Sequence, residues 1–224
     1  MKERRTLKKK VLKLLQDSDL DGALALQENF TGRQLLNPLI SCLCNSNEMV
    51  KWLAVSAIGK VVAGIADEDM EEGRIVMRRF MWMLNDESGG IGWGAPEAMG
   101  EVMACHRGLA DEYSQVLVAN MREDGNFLEL EMLQRGLMWG IGRLAGAWPD
   151  LMEKWRACDY LLPYLESADP EVRGRAAWAL GKLKCSVAQE QLARLADDQS
   201  LVTIYREPKI FSHTVVDLVR QTGD

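Results

Sequence analysis

The sequence lacks a positive charge excess, a long apolar run and any ordered set of histidines. Lys and Arg number 27 against 33 Asp and Glu, a formal net charge of −6 over 224 residues. Dedicated nucleic-acid binders are usually strongly basic, so this balance argues against a nucleic-acid partner. No stretch approaches the roughly 18 uninterrupted apolar residues of a membrane span. The basic start MKERRTLKKK is not followed by an apolar signal core, so a cytoplasmic setting is expected. The two histidines, His106 and His213, lie in no His-Glu or H-x-x-x-H context, and neither G-x-S-x-G nor a P-loop occurs.

Cysteine is sparse and irregular. Cys42, Cys44, Cys105, Cys158 and Cys185 are odd in number, scattered and set among apolar neighbours. That pattern reads as reduced thiols acting as small core residues. Cys42 and Cys44 form C-x-C without a second pair at zinc-finger spacing, so no metal and no cofactor is expected.

What the sequence does contain is a repeat. Four segments align: EMVKWLAVSAIGK ending at Lys60, GIGWGAPEAMGE ending at Glu101, EMLQRGLMWGIGR ending at Arg143, and EVRGRAAWALGK ending at Lys182. Their shared glycines, Gly59, Gly100, Gly142 and Gly181, are 41, 42 and 39 residues apart. A period near 40 is that of a two-helix unit which buries its apolar face only by stacking on its neighbours. At 100° per residue, one stripe collects Ala54, Ala57, Ile58 and Val61; Ala95, Ala98, Met99 and Val102; Leu137, Gly140, Ile141 and Leu144; and Ala176, Ala179, Leu180 and Leu183. These are the expected core.

The segment DPEVRGRAAWALGKLK, Asp169 to Lys184, resembles the second-helix consensus of short bacterial HEAT repeats of the phycobilisome-lyase-like type; the other copies match more loosely. The resemblance covers about residues 31–196. It implies an all-α, α–α superhelix of stacked antiparallel helix pairs. It implies little about activity, because such repeats serve scaffolds, enzyme subunits and repair proteins alike.

The first helices of the pairs are placed near 33–44, 69–84, 110–122, 150–165 and 186–196. Residues 1–30 read as capping helices and 31–198 as repeats. Leu7, Val11 and Leu14 give the basic N-terminal helix an apolar side. Residues 199–224 read as a cap of another kind. Leu201–Tyr205 and Ile210–His213 have strand composition around an Arg206–Lys209 turn, and Thr214 with Asp217 forms a capping box for a last helix. A lone hairpin is marginal, so it should pack on the last repeat or pair two copies of the chain.

The positions opposite the core stripe are Trp52, Ser56 and Lys60; Trp93, Glu97 and Glu101; Arg135, Trp139 and Arg143; and Gly174, Trp178 and Lys182. Four of the seven tryptophans fall here. An exposed aromatic ridge with a charged rim suits a protein hot spot, so Trp52, Lys60, Trp93, Glu97, Glu101, Arg135, Trp139, Arg143, Trp178 and Lys182 are the candidate partner-binding residues. The glycine-rich run Asp86–Gly94 predicts close backbone approach or left-handed φ angles.

The expected function is a non-catalytic interaction module with a protein partner. Two alternatives remain: an accessory or lyase-like chaperone for prosthetic-group attachment, and an alkylpurine DNA glycosylase. The second would need Trp139 and Trp178 as a stacking platform and a carboxylate such as Asp86 beside Trp82. Against it, the first 13 residues carry +6, leaving −12 on the rest of the chain, which repels phosphate.

Overall fold

The computed structural model describes residues 2–85 and 91–221, with side chains from Arg4 onward. Contacts divide the chain into two compact units, residues 1–109 with 205–209, and residues 110–204 with 210–224.

The first unit contains α1 (Lys2–Gln16), α2 (Leu20–Ala25), α3 (Gly32–Ile40), α4 (Glu48–Glu68), α5 (Met70–Met83) and α6 (Ala95–Cys105). Local sequence fixes the helix starts. Thr31 and Gln34 make a reciprocal capping box on α3, and the Asn47 and Asp69 side chains accept from the first-turn amides of α4 and α5. α1 turns Leu7, Val11 and Leu15 inward, one residue past the expected Leu14. α4 is central and packs on α1, α2, α3, α5 and α6. It is long and apolar enough to cross a membrane by length and composition, and most of that apolar stretch is buried inside the unit.

Gly94 caps α6 with φ +71°, and Gly92 has φ +68°. Both lie in the left-handed region expected of this run. A Cβ on Gly92 would sit 2.6 Å from the Met83 carbonyl oxygen, and one on Gly94 2.8 Å from the Leu43 Cβ. The rest of the run, residues 86–90, lies outside the described residues.

The remaining elements are α7 (Arg107–Ala119), α8 (Glu131–Ala147), α9 (Pro149–Lys154), α10 (Ala157–Leu161), α11 (Pro170–Leu183), α12 (Gln189–Ala193), strands β1 (Leu201–Arg206) and β2 (Lys209–Thr214), and α13 (Val215–Arg220). In the second unit α8 packs on α11, which also carries α9, α10 and α13. Asp169 caps α11 with Pro170 in its first turn, and Thr214 with Asp217 forms the capping box of α13. The single helix expected over 150–165 is instead α9, α10 and a 3-10 turn at Leu162–Glu166. The break falls at Arg156, which adopts φ +55°.

The fold class is all-α, made of repeated helix pairs, with a small C-terminal hairpin and helix. The equivalent glycines behave alike where their surroundings are defined. Gly59 packs under Glu101 of the next repeat in the first unit, and Gly142 under the Trp178 ring of the next repeat in the second. A Cβ would lie 2.6 Å from Glu101 Cγ in one case and 2.3 Å from Trp178 Cζ3 in the other. Glycine at these places lets second helices of successive repeats approach closely.

One expectation is overturned here. Cys158 and Cys185 are joined as a disulfide, with Cα atoms 6.0 Å apart and a sequence separation of 27. This spacing lies within the ordinary range for the bond. Cys42, Cys44 and Cys105 are free thiols, and burial pushes the Cys42 thiol upward from its usual pKa.

Candidate functional site

The second helices α4, α6, α8 and α11 were expected to show one face to the core and the other to solvent. They are covered on both. Ala54, Ala57, Ile58, Val61, Ala95, Ala98, Met99, Val102, Leu137, Ile141, Leu144, Ala176, Ala179 and Leu180 are buried as expected. On the opposite side, Trp52 is 2% exposed, Trp139 1% and Trp178 7%. The exposed tryptophan ridge is therefore corrected: three of its four rings are core. Glu97 and Glu101 are buried as well. Trp93, at 42% exposure, is the one ring of the four that meets solvent.

In the first unit the α4 face is filled by the hairpin tip. The Tyr205 ring stacks on Trp52, centroids 5.1 Å apart and planes 9° from parallel. The hydroxyls of Tyr205 and Ser56 share a hydrogen bond of 2.9 Å, and Lys60 pairs with Glu207. Trp52, Ser56 and Lys60 stand on successive turns of α4 and so line up along one extended segment. Burial pushes the Tyr205 phenol up to about 12, which keeps it neutral across the physiological range. Lys51 adds a 2.5 Å ion pair to the buried Glu97 carboxylate, with its ammonium 5.2 Å from the Trp52 ring centroid.

In the second unit the corresponding positions enter a polar network. Arg135 of α8 grips the buried Asp169 with Nε at 2.7 Å and a second nitrogen at 2.5 Å, and this pairing raises the Arg135 pKa. Asp169 meanwhile caps α11, accepting from the Glu171 amide at 2.8 Å. Arg175, 5% exposed, donates to the Thr203 carbonyl, the Thr203 hydroxyl and the Arg135 carbonyl, each at 3.1 Å. It also pairs with Glu171 at 2.5 Å, and Glu171 accepts from the Thr203 amide and hydroxyl. Sequence reasoning missed this cluster because its members are far apart in the chain: Arg175 and Glu171 meet Thr203 in a strand about 30 residues onward, and Asp169 meets Arg135 from the preceding repeat. Arg135 keeps a half-exposed side chain, Arg143 is half-buried and Lys182 is exposed.

Arg173 ties the same region together. Its Nε reaches Asp198 at 2.6 Å, and other guanidinium nitrogens donate to Ser200 and to the carbonyls of Ser167 and Ala168. The Arg173 hydrogen bond, helped by Ser200, holds the Asp198 carboxyl at about 2. A carboxyl depressed in the folded state stabilises above its unfolded pKa and loses that contribution as pH falls through the folded value. The expected window is pH 4 down to 2, with about 1–2 kcal/mol at stake. Denaturant titrations of the protein and of Asp198→Asn should show that difference at pH 6 and a closing gap between pH 4 and pH 2.

Among the described residues no group of three or more His, Cys, Asp or Glu could hold a metal ion. His106 Nδ1 accepts the Leu109 amide at 3.1 Å at the start of α7, which assigns its proton to Nε2, 3.4 Å from Asp67. Trp139 and Trp178 are buried and offer no platform to a nucleobase, and Asp86 lies outside the described residues.

Residues 131–183, covering α8 to α11, match the model of the HEAT-like repeat family. A solved structure titled as computationally designed armadillo repeat proteins for modular peptide recognition superposes with a TM-score of 0.50 and 17% identity. That match covers 96% of this chain and 98% of the other. The fold is that of HEAT and armadillo repeats. Among curated proteins none matches the sequence.

Large apolar side chains also meet solvent in the first unit, Ile75 at 47% among them. Trp82 at 56%, Ile91 at 43% and Trp93 at 42% are exposed. Their segments abut, because Gly92 rests on the Met83 carbonyl and the Leu84 side chain. Trp82 and Ile91 were not among the candidate residues. Their signal in the sequence is Gly92 between Ile91 and Trp93, which marks backbone contact at a pair of large apolar side chains.

Proposed function

We propose that this protein is a non-catalytic interaction module that binds a protein partner through the exposed Trp82, Ile91 and Trp93 of its first unit. The observation that carries this reading is large apolar area left in water on two abutting segments, one of them locked by left-handed glycines. Rings are strong hot-spot residues because they bury much area and freeze few torsions. Tethered backbone lowers the ordering cost of binding further. The armadillo proteins that share the fold were designed for peptide recognition, and the HEAT-like repeat match agrees with a binding role.

The test uses a random-peptide phage library panned on the full chain. Enriched peptides should bind the protein and lose at least tenfold in affinity against Trp82→Ala/Trp93→Ala, whose melting temperature stays close to the parent's. Enriched peptides that bind both proteins equally would overturn the proposal.

A further inference from the structure

We infer that the cavity between α1 and α3 is a binding site for a small anion that carries an apolar group, such as an aromatic phosphate or carboxylate. The cavity measures about 500 Å³ and is lined by Arg4, Leu7, Lys8, Phe30, Arg33, Gln34, Asn37 and Pro38. Its volume falls within the roughly 300–1,000 Å³ usual for small-molecule sites. None of these lining residues is acidic, although the chain as a whole carries −6.

The polar groups on this wall are donors. Arg4, Lys8 and Arg33 are cations. Arg33 is shared with Glu72 at 2.7 Å, whereas neither Arg4 nor Lys8 has a carboxylate partner among the described residues. The two amides have their acceptor ends in use. Gln34 Oε1 accepts the Thr31 amide at 2.8 Å, and Asn37 Oδ1 accepts from Arg79 at 2.7 Å. Each amide therefore has its NH2 group left to give. Cations and amide donors with no competing acceptor call for an anion. The apolar part of the wall is built in: Leu7 and Pro38 are buried, and Phe30 is half-buried. A ligand that is only charged would leave that floor wet, so the fitting guest joins an anionic head to a ring or short chain.

Isothermal titration of the full chain with phenyl phosphate, benzoate, inorganic phosphate and phenol tests this. Phenyl phosphate or benzoate should bind, with affinity falling as salt rises. Phenol and inorganic phosphate should each bind at least tenfold more weakly than the better of those two. Arg4→Gln/Lys8→Gln should cost at least tenfold while the helical circular dichroism is retained, because both side chains are exposed. The double variant leaves Trp82 and Trp93 in place, so the peptide test above reads independently. Absence of binding by both aromatic anions, or equal binding to the parent and the double variant, would overturn the inference.

Discussion

Trp139→Ala should unfold the protein far more readily than its parent. The ring is 1% exposed and is the largest fully buried side chain among the described residues. Truncation loses its transfer free energy and leaves a cavity that the surrounding helices fill only in part, a cost of about 3–5 kcal/mol. For a chain of this length that corresponds to a fall in Tm of roughly 10 °C or more. Trp93→Ala, at a surface position, should stay within about 0.5 kcal/mol of the parent. Thermal melts followed by circular dichroism check both. A surface-ridge account expects the two substitutions to be equally harmless, so the contrast between them is informative in itself.

Arg175→Ala should be comparably damaging for a different reason. Its guanidinium satisfies two carbonyls and a hydroxyl and neutralises Glu171 in a nearly closed site. Removing it leaves the Glu171 carboxylate without its cation and two carbonyls without this donor, which costs about 3–5 kcal/mol for an uncompensated charge in a nearly closed site. Arg175→Lys should rescue little, because an ammonium on a flexible stem cannot reach three acceptors in the fixed fork geometry. Glu171→Leu/Arg175→Met should be less destabilised than Arg175→Ala, since no charge is left unpaired. Urea titrations of the three variants give the order. Equal stability of Arg175→Ala and the parent would remove the network from the account.

Much of the fold was legible because local rules and tertiary packing agree. The 41-, 42- and 39-residue glycine spacing located the four second helices. Asp169 with Pro170, and Thr214 with Asp217, marked the starts of α11 and α13. The strand pair around Glu207 and Pro208 followed from β-branched and aromatic composition. The candidate site was read less well. A stripe calculation tells which side of a helix is most apolar, and the other side was taken as solvent. α4 carries only Lys51 and Lys60 as charges between Val50 and Ala66, and a helix apolar nearly all round is a buried one. That feature was the available warning that Trp52 belongs to the interior. The ring that stacks on it, Tyr205, comes from about 150 residues away, and no local pattern announces such a contact. The Cys158–Cys185 pairing was hidden likewise, because spacing alone cannot show which thiols the fold brings together.

The corrected face is the center of the account: the rings on the second helices are interior, and those at Trp82 and Trp93 meet solvent. Hydroxyl-radical footprinting of the native protein, read by mass spectrometry at each tryptophan, measures this directly. Rapid oxidation of Trp82 and Trp93, with Trp52, Trp139 and Trp178 protected until the protein is unfolded, is the predicted result. Oxidation of Trp139 and Trp178 in the folded protein at the rate of Trp82 would contradict it.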